Sequence, residues 1–463
     1  MINPEILREY DIRGIYGKSL TLKDISKIAL AISKKLKENN SSHIIIGHDG
    51  RASSLEIKNT LIDNFISYGI EVIDISLIPT PVSYFASKYY KIPNLIMITG
   101  SHNPKEYNGL KMIINNKPFF GDSIKSLNNI DTSDLDKKKK NIKFKDPLTP
   151  YHNEILNKFS NINKLKIAWD PGNGAIGAII NKIINTIGGT NILFNQSIDG
   201  TFPNHHPDPT VKSNIVQLSE FVKKNSFDLG IAFDGDGDRV GIIDNEGNLV
   251  YSDMIFLLLA LDLQKEKNDL IAVADVKCSK ILFDVLKKNG IKILMSKTGH
   301  SLIKEMIVSQ NADIAGEMSG HIFYKYGYYG YDDAIYASLK FINILNNSNN
   351  TLSEILKPYK QSLSTPEVKL YCEESEKFGL LANIISNLKK IYEGANLIEI
   401  DGIRVESSDF WFLIRASNTQ NCLVFRLEHF KNELFKTEIE KLINIFKKFN
   451  LDLRELDSFY KTI

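Results

Sequence analysis

A short apolar run that leads into three closely spaced aspartates is the feature of this sequence that most constrains its fold. The run from Leu229 to Phe233 predicts a buried strand, and glycines separate the aspartates that follow it, Asp234, Asp236 and Asp238. Because glycine adopts positive φ without steric cost, such a loop can turn all three carboxylates toward one point. Close carboxylates repel one another, and a hard divalent cation with oxygen ligands removes that repulsion. The stretch therefore predicts a strand end that holds a metal ion.

The residue after the aspartates indicates which chemistry the metal would serve. Mg²⁺ usually completes its shell with water or phosphate oxygens, and Arg239 places a fixed cation beside the cluster. A calcium loop of the helix-loop-helix kind needs Gly at its sixth position and Glu at its twelfth, where this chain has Arg239 and Asn245. An ordinary acidic turn rarely ends a buried strand with an arginine attached. We therefore predict a metal site that acts on a phosphoryl group.

The order of apolar patterns predicts the fold class and the domains. The chain has 463 residues, too many for one core. Strand-like runs alternate with helical patterns over the first three quarters, which is typical of α/β domains with parallel or mixed sheets. After that the pattern becomes that of a smaller α+β domain. We predict three α/β domains at 1–148, 149–250 and 251–365, and an α+β domain at 366–463.

A loose internal repeat suggests that the α/β domains are related. A strand-like run, then Asp, then a Gly turn occurs from Ile44, from Ile167 and from Ile231. Turns between a strand and a helix favour Asp and Gly in any protein, so the repeat supports a relationship without establishing it.

The composition excludes several classes of function. Lys and Arg number 57 against 55 Asp and Glu, and a net charge of +2 provides no field for bulk nucleic-acid binding. The cysteines, Cys278, Cys372 and Cys422, are widely spaced and odd in number, which fits a reducing compartment. The N-terminus lacks a signal pattern, and no apolar run is long enough to span a bilayer. We expect a cytoplasmic protein without nucleic-acid or membrane partners.

A second loop presents a hydroxyl group beside an imidazole. The apolar run at 94–98 leads into a glycine-containing turn in which Ser101 precedes His102. A serine hydroxyl can carry a phosphoryl group as an ester and pass it on, given a metal and a proton acceptor. A purely structural turn has the same composition, so the loop becomes informative only together with the aspartates.

Two further loops suit a phosphorylated sugar. Glycines bracket Glu317 and Ser319, which would face the same side of an extended loop and suit the vicinal hydroxyls of a sugar. Arg415 begins a run of hydrogen-bond donors that suits a phosphate group. The donors that follow it are Ser417, Asn418 and Thr419. A solvated loop and a polar hairpin are the structural alternatives for these two segments.

Together, these motifs resemble the α-D-phosphohexomutase family, most closely its bacterial phosphomannomutase/phosphoglucomutase group. The resemblance covers essentially the full length and has the four loops in the same order. It also takes in the stretches Tyr10–Gly14, Tyr107–Lys111, Phe202–Pro209, Asp275–Cys278 and Lys297–Ser301. It implies a heart-shaped protein with three related mixed α/β sandwich domains and a smaller, mobile C-terminal α+β domain.

The resemblance also implies roles for individual residues. Ser101 matches the serine that is phosphorylated in the active enzyme, and its phosphate oxygen would complete a Mg²⁺ site. The other Mg²⁺ ligands match Asp234, Asp236 and Asp238. Glu317 and Ser319 match the residues that hold the 3- and 4-hydroxyls of the sugar. The loop that binds the non-transferred phosphate matches Arg415, Ser417, Asn418 and Thr419.

Further ligand contacts of the family match Tyr10, Arg13, Lys111, Arg239, Lys277, His300 and His321. Arg13, His102 and Lys111 are the candidates for proton transfer. Asn421 stands where many relatives have proline, which bears only on the rigidity of the phosphate loop.

The implied reaction is a reversible isomerisation of hexose 1-phosphate and hexose 6-phosphate. Phosphorylated Ser101 would give a hexose 1,6-bisphosphate, which turns end for end before the serine takes back the other phosphate. The bisphosphate would also be the activator, and hexose phosphates the partners of a monomer or weak dimer. A grip on the 3- and 4-hydroxyls predicts that glucose and mannose phosphates, which differ only at C2, are both accepted.

Three alternatives remain at this point. The chain could act on glucosamine phosphate, although Met318 between Glu317 and Ser319 is more typical of the mannose/glucose group. It could be a metal-dependent phosphatase, if water reaches the phosphoserine. It could also be a non-catalytic sensor of sugar phosphates, which the intact serine and aspartates argue against.

Overall fold

The protein consists of three mixed α/β units followed by an antiparallel C-terminal unit, which confirms the predicted fold class. The computed structural model describes residues 1–135, 137–159, 162, 164–359, 362–417, 420–449 and 451–463. Among these residues, we find no helix that combines the length and the apolar character needed to cross a bilayer.

The first unit is built on a seven-stranded sheet. Its strands are β1 (Ile12–Ile15), β2 (His43–His48), β3 (Glu71–Leu77), β4 (Leu95–Ile98), β5 (Tyr107–Ile114), β6 (Lys117–Pro118) and β7 (Ile142–Phe144). Its helices are α1 (Leu22–Glu38), α2 (Ser54–Ser67), α3 (Thr80–Tyr89) and α4 (Asp122–Lys125). The strand order is β1-β5-β4-β2-β3-β7, with β6 beside β5. A capping box between Thr21 and Asp24 fixes the start of α1, whose apolar face is buried.

The second and third units have sheets of five and four strands. The second contains α5 (Leu148–Phe159), β8 (Lys166–Asp170), α6 (Ile180–Ile184), β9 (Thr190–Leu193), α7 (Val216–Lys224), β10 (Leu229–Phe233), β11 (Val240–Ile243) and β12 (Leu249–Val250). The third contains α8 (Ser252–Gln264), β13 (Ile271–Asp275), α9 (Lys280–Lys288), β14 (Lys292–Ser296), α10 (His300–Ser309), β15 (Ile314–Gly316), β16 (Ile322–Tyr324), α11 (Ala334–Asn346) and α12 (Leu352–Leu356).

The three α/β units share one strand order, as the internal repeat suggests. Each unit contains a set of four strands with the same arrangement. The first strand of the set lies between the second and the third, all three are parallel, and the fourth runs antiparallel to the third. The four strands in this order are β2, β3, β4 and β5 in the first unit, β8, β9, β10 and β11 in the second, and β13, β14, β15 and β16 in the third.

The three runs of the repeat do not hold equivalent positions in their units. The runs from Ile44 and Ile167 belong to first strands, β2 and β8, but the run from Ile231 belongs to β10, a third strand. The matching strand of the third unit is β13, which ends at Asp275. The pattern recurs because a buried strand followed by an aspartate occurs at both places in the fold.

The C-terminal unit is an antiparallel sheet with helices. Its elements are β17 (Leu363–Ser364), β18 (Val368–Tyr371), α13 (Lys377–Ile391), β19 (Asn396–Ile398), β20 (Ile403–Glu406), β21 (Phe410–Ala416), β22 (Cys422–His429), α14 (Asn432–Phe446) and α15 (Arg454–Thr462). The strand order is β17-β22-β21-β20-β19, and β18 also pairs with β22.

The apolar cores divide the protein into two parts. One continuous core runs through the three α/β units and includes Ile45, Trp169 and Phe256. The C-terminal unit has its own core, to which Phe412 and Phe425 contribute. The first three units are therefore joined by hydrophobic packing, whereas the fourth is packed mainly on itself.

The joint between the third and the C-terminal units combines apolar and polar contacts. Trp411 and Leu413 of the C-terminal sheet form a small apolar cluster with Val276, just after β13. Arg404 is fully buried there and donates hydrogen bonds to the carbonyl oxygens of Val276 and Cys278, both at 2.6 Å.

A buried carboxylate joins α5 to the third unit. Asp333 caps α11 by accepting a hydrogen bond from the backbone N–H of Tyr336 at 2.9 Å. The hydroxyls of Tyr151 on α5 and of Tyr328 donate to the same carboxylate at 2.9 and 2.7 Å. Burial raises the pKa of Asp333 to about 6, although these hydrogen bonds oppose the shift.

We expect Asp333→Asn to remove a pH-dependent contribution to stability. The folded-state pKa of about 6 lies above the ordinary value of 3.8, so this contribution is fully present below about pH 4 and is lost as pH rises through 6. The free energy of unfolding of the wild type minus that of the variant should therefore fall by up to about 3 kcal/mol between about pH 4 and pH 7. Urea titrations at the two pH values measure it.

The matched control is Asp63→Asn on the exposed face of α2, measured at the same two pH values. An Asp333→Asn difference that does not change with pH would contradict the expected titration.

Candidate functional site

The three α/β loops predicted to carry chemistry occupy the same position in their units. Each joins the third strand to the fourth: 99–106 joins β4 to β5, 234–239 joins β10 to β11, and 317–321 joins β15 to β16. Contacts between the side chains of these loops show that they meet in one cleft.

The aspartates of the second loop form a fully buried cluster. One carboxylate oxygen of Asp234 accepts hydrogen bonds from the backbone N–H groups of Gly237, Asp238 and Arg239 at 3.0, 3.1 and 3.1 Å, and Gly237 has φ of +77°. One oxygen from each of the three aspartates lies within 4.8 Å of the others. Asp236 Oδ1 makes no hydrogen bond within the described part of the chain. This donor set fits the predicted divalent cation.

Lys111 on β5 carries the positive charge nearest to the cluster. Its Nζ lies 2.7 Å from Asp236 Oδ2 and also contacts Asp238, while the hydroxyl of Thr80 donates to Asp236 at 2.6 Å. Burial alone would lower the pKa of Lys111, but Asp236 and Asp238 raise it, so the ammonium stays charged. Burial and repulsion from the other two aspartates raise the pKa of Asp234 well above its usual range. One lysine therefore compensates only part of the negative charge.

Ser101 lies directly against the aspartate cluster. Its hydroxyl donates to Asp234 Oδ2 at 2.9 Å, and the residue has φ of +49°, which is unusual for a side-chain-bearing residue. His102 Nδ1 lies 3.4 Å from Ser101 Oγ, and burial lowers the pKa of His102 well below its usual value. A Cβ atom at Gly235 would lie 2.6 Å from the Ser101 carbonyl oxygen, so only glycine permits this approach.

The third loop differs from its predicted shape. The prediction of an extended segment is wrong, because the N–H of Gly320 donates to the carbonyl of Glu317 at 3.0 Å and Gly320 has φ of +94°, which closes a turn. Glu317 and Ser319 still reach one point. Glu317 Oε2 lies 3.2 Å and Ser319 Oγ lies 2.9 Å from Nδ1 of His321.

His321 connects the third loop to the aspartates. Its Nε2 lies 3.2 Å from Asp238 Oδ1. Burial alone would lower the pKa of His321, but Asp238 and Glu317 raise it to about 9, so the imidazole is protonated at neutral pH.

Several buried donors around the cleft have no partner. Among the described residues, Arg13 Nη1, Arg239 Nε, Arg415 Nη2 and His300 Nδ1 make no hydrogen bond. Unsatisfied buried donors are costly, so a site that collects them favours an anionic ligand such as a phosphorylated sugar.

The remaining predicted contacts tie the units together. The hydroxyl of Tyr10 donates to the carbonyl of Thr298 at 2.6 Å, which links the first unit to the third. Lys277 Nζ lies 3.1 Å from Glu367 Oε1, which links the third unit to the start of the C-terminal one. Both residues lie where their units meet.

The predicted phosphate loop begins at the end of β21. Arg415 Nε donates to Asp401 Oδ2 at 2.8 Å, and Lys377 Nζ donates to the carbonyl of Ser417 at 2.9 Å. Asn418 and Thr419 lie outside the described residues.

The sequence reasoning missed several polar residues that line or support this cleft. Thr80 contacts Asp236, Asp401 pairs with Arg415, and Lys304 lies 2.6 Å from the buried carboxylate of Asp332. The partners in these contacts lie 14 to 156 residues apart, so no short motif predicts them. Asp332, for example, precedes a helix beside another aspartate and has the pattern of an N-cap.

Comparison with known proteins identifies relatives over nearly the whole chain. Models of the phosphoglucomutase/phosphomannomutase family match residues 4–134 with its alpha/beta/alpha domain I, residues 149–247 with domain II and residues 251–362 with domain III.

Individual relatives match at substantial identity. A phosphomannomutase/phosphoglucomutase of Pseudomonas syringae is 37% identical over 95% of this chain and 94% of its own length. A phosphoglucomutase of Neisseria meningitidis is 38% identical over 96% of both chains. The crystal structure of a phosphoglucomutase/phosphomannomutase family protein from Burkholderia thailandensis has a TM-score of 0.90 and 31% identity, covering 98% of this chain and all of that one.

We expect Lys111→Met to destabilise the metal-free protein selectively. The substitution removes the nearest counter-charge of three buried carboxylates, and an uncompensated buried charge costs about 3 kcal/mol or more. A divalent cation should restore most of that loss, so the increase in melting temperature on adding Mg²⁺ should be larger in the variant. Calorimetry with EDTA and with excess Mg²⁺ measures both quantities.

Lys58→Met is the matched control, because Lys58 is also buried and pairs with Asp74 at 2.9 Å. This variant should lose stability equally with and without Mg²⁺. An identical response of the two variants to Mg²⁺ would contradict the role assigned to Lys111.

Proposed function

This chain belongs to the phosphoglucomutase/phosphomannomutase family of α-D-phosphohexomutases, and from that premise we propose that it interconverts hexose 1-phosphates and hexose 6-phosphates through a phosphoserine at Ser101. Such an enzyme is an isomerase that acts by phosphoryl transfer. The observation that carries the proposal is the 2.9 Å hydrogen bond from Ser101 Oγ to Asp234 Oδ2, which places the carrier hydroxyl against the metal-binding carboxylates.

The metal we propose is Mg²⁺. Asp234, Asp236 and Asp238 would hold it, together with an oxygen of the phosphorylated serine. When bound, the ion supplies positive charge to the oxygens of the transferring phosphoryl group.

His102 is the residue we assign to proton exchange with Ser101. Its imidazole is neutral because burial lowers its pKa, and Nδ1 lies 3.4 Å from Ser101 Oγ. When a sugar hydroxyl attacks phosphorus and the bond from phosphorus to Ser101 Oγ breaks, neutral His102 would accept the proton of that hydroxyl and pass it to Ser101 Oγ; in the reverse step it would take the proton of the serine and pass it to the departing sugar oxygen. Lys111 and Arg13 remain positively charged in this arrangement, so they would stabilise negative charge on the phosphoryl group. Neither would act as the base, which leaves His102 among the three candidates.

The two ends of the sugar phosphate require different binding groups. Glu317 and Ser319 would hold the 3- and 4-hydroxyls, and the positions of both side chains next to His321 support this. Arg415 and Ser417, with Asn418 and Thr419, would bind the phosphate that is not being transferred.

This division of binding groups explains how one serine can serve both ends of the sugar. A hexose 1,6-bisphosphate gripped at its 3- and 4-hydroxyls can turn over and present its second phosphate to Ser101. The same bisphosphate would act as activator, because it can phosphorylate a serine that has lost its phosphate.

We expect Ser101→Ala to reduce turnover of glucose 1-phosphate by at least about a thousandfold, because the carrier oxygen is lost. Binding of the sugar phosphate should persist, since the grip and the phosphate loop are intact. A coupled assay for glucose 6-phosphate and calorimetric titration of the ligand measure the two effects.

The control for this substitution is Ser87→Ala, which removes another buried hydroxyl of the first unit, one that donates to the carbonyl of Ile92 at 2.7 Å. Its turnover should stay close to that of the wild type. Net release of inorganic phosphate by the wild type, without isomerisation, would contradict the mutase function.

We also expect the enzyme to accept both glucose 1-phosphate and mannose 1-phosphate. These sugars differ only at C2, and the proposed grip uses the 3- and 4-hydroxyls. The ratio of kcat/KM for the two substrates should be below about a thousand. Glucosamine 1-phosphate is assayed in parallel. If it were the best of the three substrates, the expected preference for glucose and mannose phosphates would be contradicted.

A further inference from the structure

The guanidinium of Arg51 donates hydrogen bonds to four backbone carbonyl groups of the loop that carries Ser101. Nη1 donates to the carbonyl oxygens of Pro104 and Tyr107 at 2.6 and 2.9 Å. Nη2 donates to those of Ser101 and Asn103 at 2.7 and 2.6 Å. Carbonyl oxygens directed at one point repel one another, so this loop shape depends on the cation at its centre.

The surroundings of Arg51 fix the guanidinium from every side. Its Nε lies 3.3 Å from Asp49 Oδ2, and the same oxygen accepts a hydrogen bond from the N–H of Gly100 at 3.1 Å. The ring of Phe202, from the second unit, lies 5.0 Å from the guanidinium carbon. A Cβ atom at Gly100 would lie 2.4 Å from that carbon, so the guanidinium packs flat against the backbone of the serine loop. Arg51 is 3% exposed.

The backbone that Arg51 holds is strained. Ser101 has φ of +49°, a left-handed conformation that costs a residue with a side chain about 1 kcal/mol or more. Such a conformation persists only where the surroundings hold it. Its carbonyl oxygen is fixed by Arg51 on one side and lies against Gly235 of the metal loop on the other.

We propose that Arg51 is a positioning residue for phosphoryl transfer. Its fork of N–H groups holds the serine loop so that Ser101 Oγ faces the aspartate cluster, and it does so without touching the substrate. The proposal rests on the proposed function, in which Ser101 carries the phosphoryl group. Arg51 precedes α2 in a loop whose sequence, Asp-Gly-Arg, is an ordinary turn, so only its long-range contacts reveal the role.

The geometry of arginine is essential to this role. Its two terminal nitrogens present four N–H groups in one plane, and all four carbonyls are served by them. A lysine ammonium has the same charge but directs three donors from a single atom, so it cannot hold four carbonyls spread over seven residues. Arg51→Lys therefore keeps the positive charge but removes the planar arrangement of N–H donors.

We expect Arg51→Lys to lower kcat by about a hundredfold, the loss typical of a displacement of about 1 Å at a reacting group. KM for glucose 1-phosphate should change by less than about threefold, because the residues assigned to the sugar and the remote phosphate are intact. The decisive readout is the phosphorylation of Ser101 itself. With glucose 1,6-bisphosphate as donor, intact-protein mass should show phosphoryl uptake at least about tenfold slower than in the wild type.

Lys58→Met is the matched control, since Lys58 is also a buried cation of the first unit and pairs with Asp74 at 2.9 Å, away from the serine loop. It should lose stability comparably and yet take up the phosphoryl group at Ser101 at the wild-type rate. A drop in melting temperature common to both variants, with normal uptake in Arg51→Lys, would overturn the proposal.

A second variant covers the case in which Arg51→Lys does not fold. Gly100→Ala keeps Arg51 but places a methyl group where the guanidinium packs, and it should show the same slow uptake at little change in KM. Normal uptake in a folded Gly100→Ala protein would overturn the proposal. Failure of the wild type to take up any phosphoryl group at Ser101 would instead refute the proposed function, so the two failures are distinguishable.

Discussion

Repulsion among three buried carboxylates is the constraint on which this cleft depends. Asp234, Asp236 and Asp238 come from one short loop, and the loop cannot neutralise them alone. Lys111 of the first unit and His321 of the third reach the same cluster. The charges are therefore balanced only when all three α/β units are in place, which couples assembly of the site to assembly of the fold.

Repetition of one strand order explains how three different chemistries reach one place. The loop between the third and fourth strands carries a hydroxyl in the first unit, a carboxylate cluster in the second and a hydrogen-bonding pair in the third. Loops at one edge of a sheet can vary while the strands beneath them stay packed. Three copies of a scaffold thus supply three parts of a site that no single copy contains.

The loops after the first strands show a related division. Asp49 accepts a hydrogen bond from the N–H of Gly100, and Asp275 lies 3.3 Å from the backbone nitrogen of Met318 as its acceptor. In both units the aspartate that ends the first strand supports the loop that follows the third. Asp49 and Asp275 therefore brace the neighbouring functional loop, whereas Asp170 of the second unit pairs with His205 at 2.8 Å.

A feature of the fold or of the site could be predicted from the sequence where the residues that determine it lie close together in the chain. The aspartate cluster is predictable because strand, glycines and carboxylates lie within ten residues, and the turn at Ser101 has the same advantage. The shape of the loop at Glu317 could not be predicted in this way, because Gly320 closes a turn that residue spacing alone does not indicate. Arg51 and Asp401 act through partners far along the chain, and only tertiary structure brings those partners together.

The joint at Trp411 and Arg404 has a consequence for how changes in one part of the protein affect the other. Since the three α/β units share a core, opening the cleft between them would expose a large apolar area. The C-terminal unit has a core of its own, so substitutions at this joint can alter its position without exposing the core that supports the aspartate cluster. Substitutions at this joint and substitutions at the aspartate cluster can therefore accumulate independently during evolution.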